Sequence, residues 1–306
     1  MDKFTIPSNT RIGQVHLRVS DLRRSMQFYR DLPGLTVQGK QHRTCLLGTG
    51  DNPYLLGLTE VSGDRTSQTT GLYHFAILLS QRWQLGQLLK HLLDSDYPLQ
   101  GASDHLVSEA VYFADPDGNG IEVYADRPTS LWSRDNGKVH MAAGPLDMDA
   151  FLEETDATQQ NWRGLPHDAG IGHIHLRVND LVAAERFYRE ILGFNLTARY
   201  GDSAPFLAAG GYHHHIGLNT WGGPHVSAPA MTAPGLEFFT ILLPNSAALQ
   251  SLLGQLNEAE IPYTRKHENI HLQDPTGNHL IVTVEPLGKL TEAPERAFSL
   301  PHETGK

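Results

Sequence analysis

Two stretches of the sequence carry residues able to do chemistry. The first runs from Glu109 to Tyr124 and reads as a strand, a tight turn and a second strand. Val111, Tyr112 and Phe113 favour a strand. Asp115-Pro-Asp-Gly-Asn-Gly120 is dense in turn formers. In the strand Ile121 to Tyr124, Glu122 alternates with Ile121 and Val123, so its carboxylate faces the opposite side. A carboxylate inside an apolar strand costs several kcal/mol unless a cation receives it. A metal ion is the usual compensation; a glutamate on the wet face of a half-exposed sheet is the alternative. The second stretch is Gly211-Tyr-His-His-His-Ile-Gly217, whose three consecutive histidines could move protons or bind metal. Read as a strand, it places His213 and His215 on one face and His214 on the other. Histidines hydrogen-bonded along a sheet edge are the structural alternative. The chain has seventeen histidines in all, which favours a nitrogen-ligated metal, although most histidines in any protein ligate nothing.

The elements that must position these residues come from repetition. Ile12-Gly-Gln-Val-His-Leu-Arg-Val-Ser-Asp-Leu22 recurs as Ile171-Gly-His-Ile-His-Leu-Arg-Val-Asn-Asp-Leu181. Each copy runs into a helix with an aromatic pair, Phe28-Tyr29 or Phe187-Tyr188. Asp21 and Asp180 stand where N-caps belong, and each helix ends at a glycine, Gly34 or Gly193. A second unit also appears twice. Gly71 to Leu79 matches Gly235 to Leu243, and the turn Asp115-Pro-Asp-Gly-Asn119 matches Asp274-Pro-Thr-Gly-Asn278. The chain is therefore four modules in two halves, roughly 10–60, 70–127, 170–222 and 234–286, each reading strand, helix, then several strands. We expect an N-terminal domain over 1–127, a linker over 128–168 with some helix near Leu146 to Glu154, a C-terminal domain over 169–288, and a polar tail over 289–306.

Composition bounds the function. With 306 residues there is room for two domains of ordinary size. A net charge of −10 argues against a nucleic-acid surface. No apolar run approaches a membrane span, and the N-terminus does not read as a signal peptide. The single cysteine, Cys45, cannot form an internal disulfide, which suits a reducing cytoplasm.

One module cannot cover its own sheet face, whereas two can close a curved half-barrel around a cavity. The fold class is α+β: four βαβββ modules in two halves, paired into curved mixed-sheet half-barrels. The repeated unit resembles the module of the vicinal oxygen chelate superfamily, which includes glyoxalase I and the extradiol ring-cleaving dioxygenases. The strongest local match is Tyr112 to Glu122. It is similar to the closing segment of the catechol 2,3-dioxygenases, in which a tyrosine stands ten places before the metal-binding glutamate.

The resemblance implies that ligands come from the first and last strands of a module. Modules one and four offer Gln14, Phe238 and Ile281 at those positions, which cannot hold a transition metal. Modules two and three offer His74, Glu122 and His173. Two imidazoles and one carboxylate are the set expected for non-haem iron(II) with open positions, with Mn(II) as the other candidate. This partition places modules two and three around one cavity and modules one and four around a metal-free one. The first pair could meet within one chain or across a dimer that exchanges halves. His16 and His175, two residues beyond the ligand positions, read as structural.

The same resemblance assigns the chemistry. In the dioxygenases the second member of a His-His pair is the acid/base catalyst, which maps onto His215 with His214 before it. Tyr112 would bond to substrate or intermediate, and His105, with a slightly different spacing, would contact substrate. A 1,2-diol chelated by iron would release a proton to a nearby neutral histidine, help worth on the order of 10²–10⁴-fold. Ring cleavage by O2 would then give a semialdehyde acid. The expected partners are a small aromatic diol and O2, in a homo-oligomer with neither nucleic acid nor membrane. A glyoxalase-type isomerase with Ni or Zn is the second reading, but it usually takes another carboxylate where this chain has Gly217. A metal-free binding protein is the third, and such proteins tend to lack the full ligand set.

Overall fold

A computed structural model describes residues 4–66, 68–156, 161–223 and 226–287. The expected tail beyond residue 288 lies outside them. The four modules appear as anticipated. Module one has an opening strand Arg11–Val19, a helix Leu22–Asp31, and strands Thr36–Gln41, Thr44–Gly48 and Leu56–Glu60. Module two has Gly71–Leu79, the helix Arg82–Asp94, and strands Gly101–Asp104, Ser108–Ala114 and Gly120–Asp126. Module three has Gly170–Arg177, a helix Leu181–Arg186 that widens into a π turn over Phe187–Ile191, and strands Asn195–Tyr200, Ala204–Ala208 and Ile216–Asn219. Module four has Gly235–Leu242, the helix Ser246–Glu258, and strands Thr264–Lys266, Asn269–Gln273 and His279–Thr283.

Capping follows the sequence. The Asp21 carboxylate accepts from Arg24 N and that of Asp180 from Ala183 N, both at 2.9 Å, satisfying amides the helix leaves unpaired. Gly34 and Gly193 each take φ = +79°, the left-handed conformation that ends a helix cheaply only at glycine.

The sheets are assembled across the halves. In one, the opening strand of module two pairs antiparallel with that of module three; in the other, the opening strands of modules one and four pair in the same way. Each sheet is mixed and curved, because each closing strand lies parallel to an opening strand. Modules two and three therefore meet within one chain. Within each half, a different device ties the modules together. The buried Tyr29 hydroxyl of module one donates to Asp115 Oδ2 of module two at 2.9 Å, and Tyr188 of module three donates to Asp274 Oδ2 of module four at 3.1 Å. Each aspartate also accepts two backbone amides of its own turn. The aromatic pair of one repeat thus reads the turn of the other.

The stretch expected as a linker carries a helix among its described residues. Its helix spans Met148–Asp156, two residues later than expected, and packs on the helix of module two, with the Arg82 guanidinium 4.3 Å from the centre of the Phe151 ring. Upstream, Trp132 and Val139 cluster with Tyr212. Among the described residues no helix is long and apolar enough to cross a membrane.

Candidate metal centre

Alternation puts chemistry on one face of the module two–three sheet and packing on the other. Phe75, Ile77, Phe113, Ile121 and Val123 lie in the main apolar core. The alternate positions Ala76, Ala110 and Tyr124 form a small separate cluster joined by Tyr112, and Glu122 shares their face. Register then builds the site. His173 pairs with Ala76, Ala76 with Glu122, and Glu122 with Tyr112, so the four stand side by side on four neighbouring strands. One step along, His175 pairs with His74. The small side chain of Ala76 leaves His173 and Glu122 free to converge above it. A register shift at Gly172 precedes His173, and such bulges re-aim the side chains beside them. Glycine is required there, since a Cβ would fall 1.8 Å from the Tyr124 hydroxyl oxygen.

The donor atoms of His74, Glu122 and His173 lie within 4.8 Å of one another, and all three residues are buried. Both imidazole Nε2 atoms are 3.0 Å from Glu122 Oε2. His74 Nε2 is not aligned for a hydrogen bond and has no other partner. Two ligands about 2.1 Å from a shared ion and at right angles stand about 3 Å apart, so the spacing and the orphaned nitrogen both suit a divalent ion. Protonation suits it too. Burial pushes His173 down to about 4 against the attraction of Glu122, leaving a neutral ligand. Burial alone would raise the Glu122 carboxyl, but His173 and His74 outweigh it and hold it well below the usual carboxylate range.

Around these three, His105 and Tyr112 form a pair, with Nε2 2.6 Å from the phenol oxygen. His105 Nδ1 is 2.8 Å from the carbonyl of Ala142 in the linker. A carbonyl only accepts, so His105 Nδ1 carries a proton and donates to it, while Nε2 bonds the Tyr112 hydroxyl. Burial, then the charge of Glu122, keeps that hydroxyl protonated, well above its ordinary range. Tyr112 is also 5.7 Å, ring to ring, from His74.

The histidine run departs from expectation. It is a bent segment between the turn at Gly210 and Gly211, where φ is +61° and +76°, and the strand Ile216–Asn219. Strand alternation does not apply to it. His214 packs against His173, ring centres 4.0 Å apart. Burial, followed by the neighbouring His173 and His213, holds it neutral. His215 turns elsewhere: its Nδ1 accepts from Ala209 N at 3.2 Å, and its ring lines a separate cavity of about 410 Å³ with Gln14, Tyr54 and Tyr212. The donor set does not line that cavity. The sequence reading thus selected the neighbour of the histidine that the fold brings to the site.

His175, expected to be structural, packs 5.0 Å from His74 and has a buried, unpartnered Nε2. Two aromatics beside these rings were missed. Phe206 lies 4.9 Å from His214, and Trp221, half exposed, lies 5.5 Å from His175. Phe206 sits on the strand Ala204–Ala208 and Trp221 in the turn beyond Ile216–Asn219, where alternation alone does not say which residues face the donor set.

The chain matches the family model described as Glyoxalase/Bleomycin resistance protein/Dioxygenase superfamily twice, over residues 11–123 and 170–282. It is 41% identical to a catechol-2,3-dioxygenase of Bacillus subtilis over 92% of this chain and 99% of that protein. It is 28% identical to a biphenyl-2,3-diol 1,2-dioxygenase of Rhodococcus globerulus over 38% of this chain and 63% of that protein. In fold it is similar to glyoxalase I from Zea mays, with a TM-score of 0.54 and 16% identity over 90% of this chain and 92% of that one.

Proposed function

We propose, for a chain that belongs to the Glyoxalase/Bleomycin resistance protein/Dioxygenase superfamily, an iron(II)-dependent extradiol ring cleavage of catechol or substituted catechols with O2. The products would be of the 2-hydroxymuconate semialdehyde type. The observation that carries this reading is the convergence of two imidazoles and one carboxylate, in a chain 41% identical to a catechol-2,3-dioxygenase.

His74, Glu122 and His173 would hold the ion. Its chemistry, when bound, would be to acidify a chelated diol and to give the diol and O2 adjacent anchorage. Glu122, already ionised, contributes negative charge that offsets part of the cation. The two imidazoles leave it a net positive site, which favours an ionised diol. His214, neutral and beside His173, accepts the diol proton and returns one later; this role passes to it from His215. Tyr112 keeps its proton and, held by His105, presents its oxygen beside His74. Phe206 and Trp221 supply apolar surface for a flat ring, and the buried surroundings exclude bulk water. A single buried thiol, Cys45, suits a cytoplasmic enzyme.

The test is direct. Protein reconstituted anaerobically with Fe(II) and then given catechol and air is expected to turn yellow while consuming oxygen, with one metal ion per chain by elemental analysis. Colourless, oxygen-independent behaviour overturns the reading. Activity recovered with Mn(II) in place of Fe(II) would reassign the ion alone.

A further inference from the structure

Behind His214 lies a hydrogen-bonded chain that ends on a carboxylate. Asp126 stands four residues beyond Glu122, at the end of the closing strand of module two. Its Oδ1 is 3.0 Å from His213 Nε2. Its Oδ2 accepts from the Tyr212 hydroxyl at 2.8 Å, and Tyr212 is 2.7 Å from the Tyr124 hydroxyl. His213 is fully buried, and its Nδ1 is 2.8 Å from Nδ1 of His214.

The donors can be worked out in order. A carboxylate only accepts, so His213 Nε2 carries a proton. Taken with a single N–H, the one on Nε2, His213 has a lone pair on Nδ1. The 2.8 Å contact therefore requires the proton to sit on His214 Nδ1. Neutral His214 is left with its lone pair on Nε2.

We propose that Asp126 is a positioning residue which, through His213, fixes the tautomer of His214 so that Nε2 is its basic nitrogen. This is the orienting role of a carboxylate behind a histidine, extended by one further imidazole. Its consequence for turnover rests on the reading of His214 as acid/base; the tautomer itself does not. Asp126 bonds to His213 and Tyr212 and not to the donor set. Tyr212 has a definite part as well. By donating to Oδ2 it selects Oδ1 for His213, and in an Asp126→Asn variant it would hold the amide oxygen and turn the NH₂ toward His213. That amide would donate to His213 Nε2, move the His213 proton to Nδ1, and move the His214 proton to Nε2. An isosteric change would invert the chain.

The test is imidazole ¹⁵N NMR on the full protein loaded with diamagnetic Zn(II), with kinetics on the Fe(II)-loaded protein. Wild type is expected to show His214 protonated at Nδ1 and bare at Nε2, and Asp126→Asn to show the reverse. Tyr212→Phe, which leaves the carboxylate on His213, should keep the wild-type tautomer. Fe(II)-loaded Asp126→Asn should keep its metal content and its KM for catechol while kcat falls on the order of 10²–10⁴-fold. A wild-type spectrum with the proton on His214 Nε2, as a protonated His213 would impose, overturns the proposal whether or not any variant folds. So does an Asp126→Asn protein with the tautomer unchanged. Full activity in His214→Phe would instead remove the acid/base role of His214 and leave the tautomer result standing.

Discussion

The two sheets are built from the same modules in the same pairing, yet one gathers ligands and the other fills itself. Where the module two–three sheet has His74, Glu122 and Tyr112, the module one–four sheet has Phe238, Ile281 and His271. Phe238 and Ile281 pack together with Leu287. Thr240, at the place of Ala76, accepts from the backbone N of Gln14 at 2.7 Å. Even the shared histidines behave alike: His175 packs on His74 at 5.0 Å and His16 stacks on Phe238 at 4.9 Å. Each faces a glycine with no room for a Cβ, Gly217 or Gly57. The comparison separates what the scaffold needs from what the chemistry needs. The histidine two places past the ligand position belongs to the scaffold, since it persists where no metal can bind. The candidate ligands of one sheet are replaced in the other by apolar residues that pack together.

Four experiments would break or sharpen this contrast. The largest effect is expected from Glu122→Ala or His74→Ala. Changes one layer out from a metal typically weaken binding about 10–100-fold; losing a ligand should exceed that and abolish both bound metal and turnover. Stoichiometric metal in both variants would erase the distinction between the sheets. Next, His214→Phe should keep its metal but lose on the order of 10²–10⁴-fold in kcat, while His215→Phe should stay within a few-fold of wild type. The opposite ranking by oxygen uptake would return the acid/base role to His215. Third, in the filled sheet, Phe238→Ala should destabilise by about 3–5 kcal/mol in denaturant unfolding without changing metal content. Fourth, acid should weaken the metal-free fold through both sheets. Burial lowers His16 to about 3, His173 to about 4 and His215 to about 3. These folded-state values lie below the ordinary 6.5, so the unfolded chain binds more protons between them. Stability is complete above about 6.5 and is lost as pH falls toward 3–4. Removing one such proton with His16→Gln should flatten that slope by at most about 1.4 kcal/mol per pH unit, measured by unfolding at several pH values.

Much of this was legible in the chain. Repetition alone located four modules, and side-by-side copies showed which positions kept ligating atoms. The face of Glu122 followed from alternation with Ile121 and Val123, because that strand is regular. Pairing across the halves followed from asking where an incomplete ligand set could be completed. The histidine run was misread for a physical reason: the chain turns at Gly210 and Gly211 before it, so a period of two assigns faces that a bent segment does not have. Both glycines were visible as turn residues and could have warned of this. Asp126 was not legible in the same way. Its partner lies 87 residues along the chain, and nothing local distinguishes it from an aspartate that ends a strand in water. Nor does the linker announce in sequence that its Ala142 carbonyl orients His105.

The crossing of the sheets has a consequence for biosynthesis. A ribosome that has released module two has already made two of the three candidate ligands, but the third, His173, comes 51 residues after Glu122. Until the strand Gly170–Arg177 docks, the sheet edge at Gly71–Leu79 is open and Glu122 has only His74 beside it, so the proposed ion site is complete only once both halves have met. On the proposed ligand set, a bound ion would report that both halves have been made and have met.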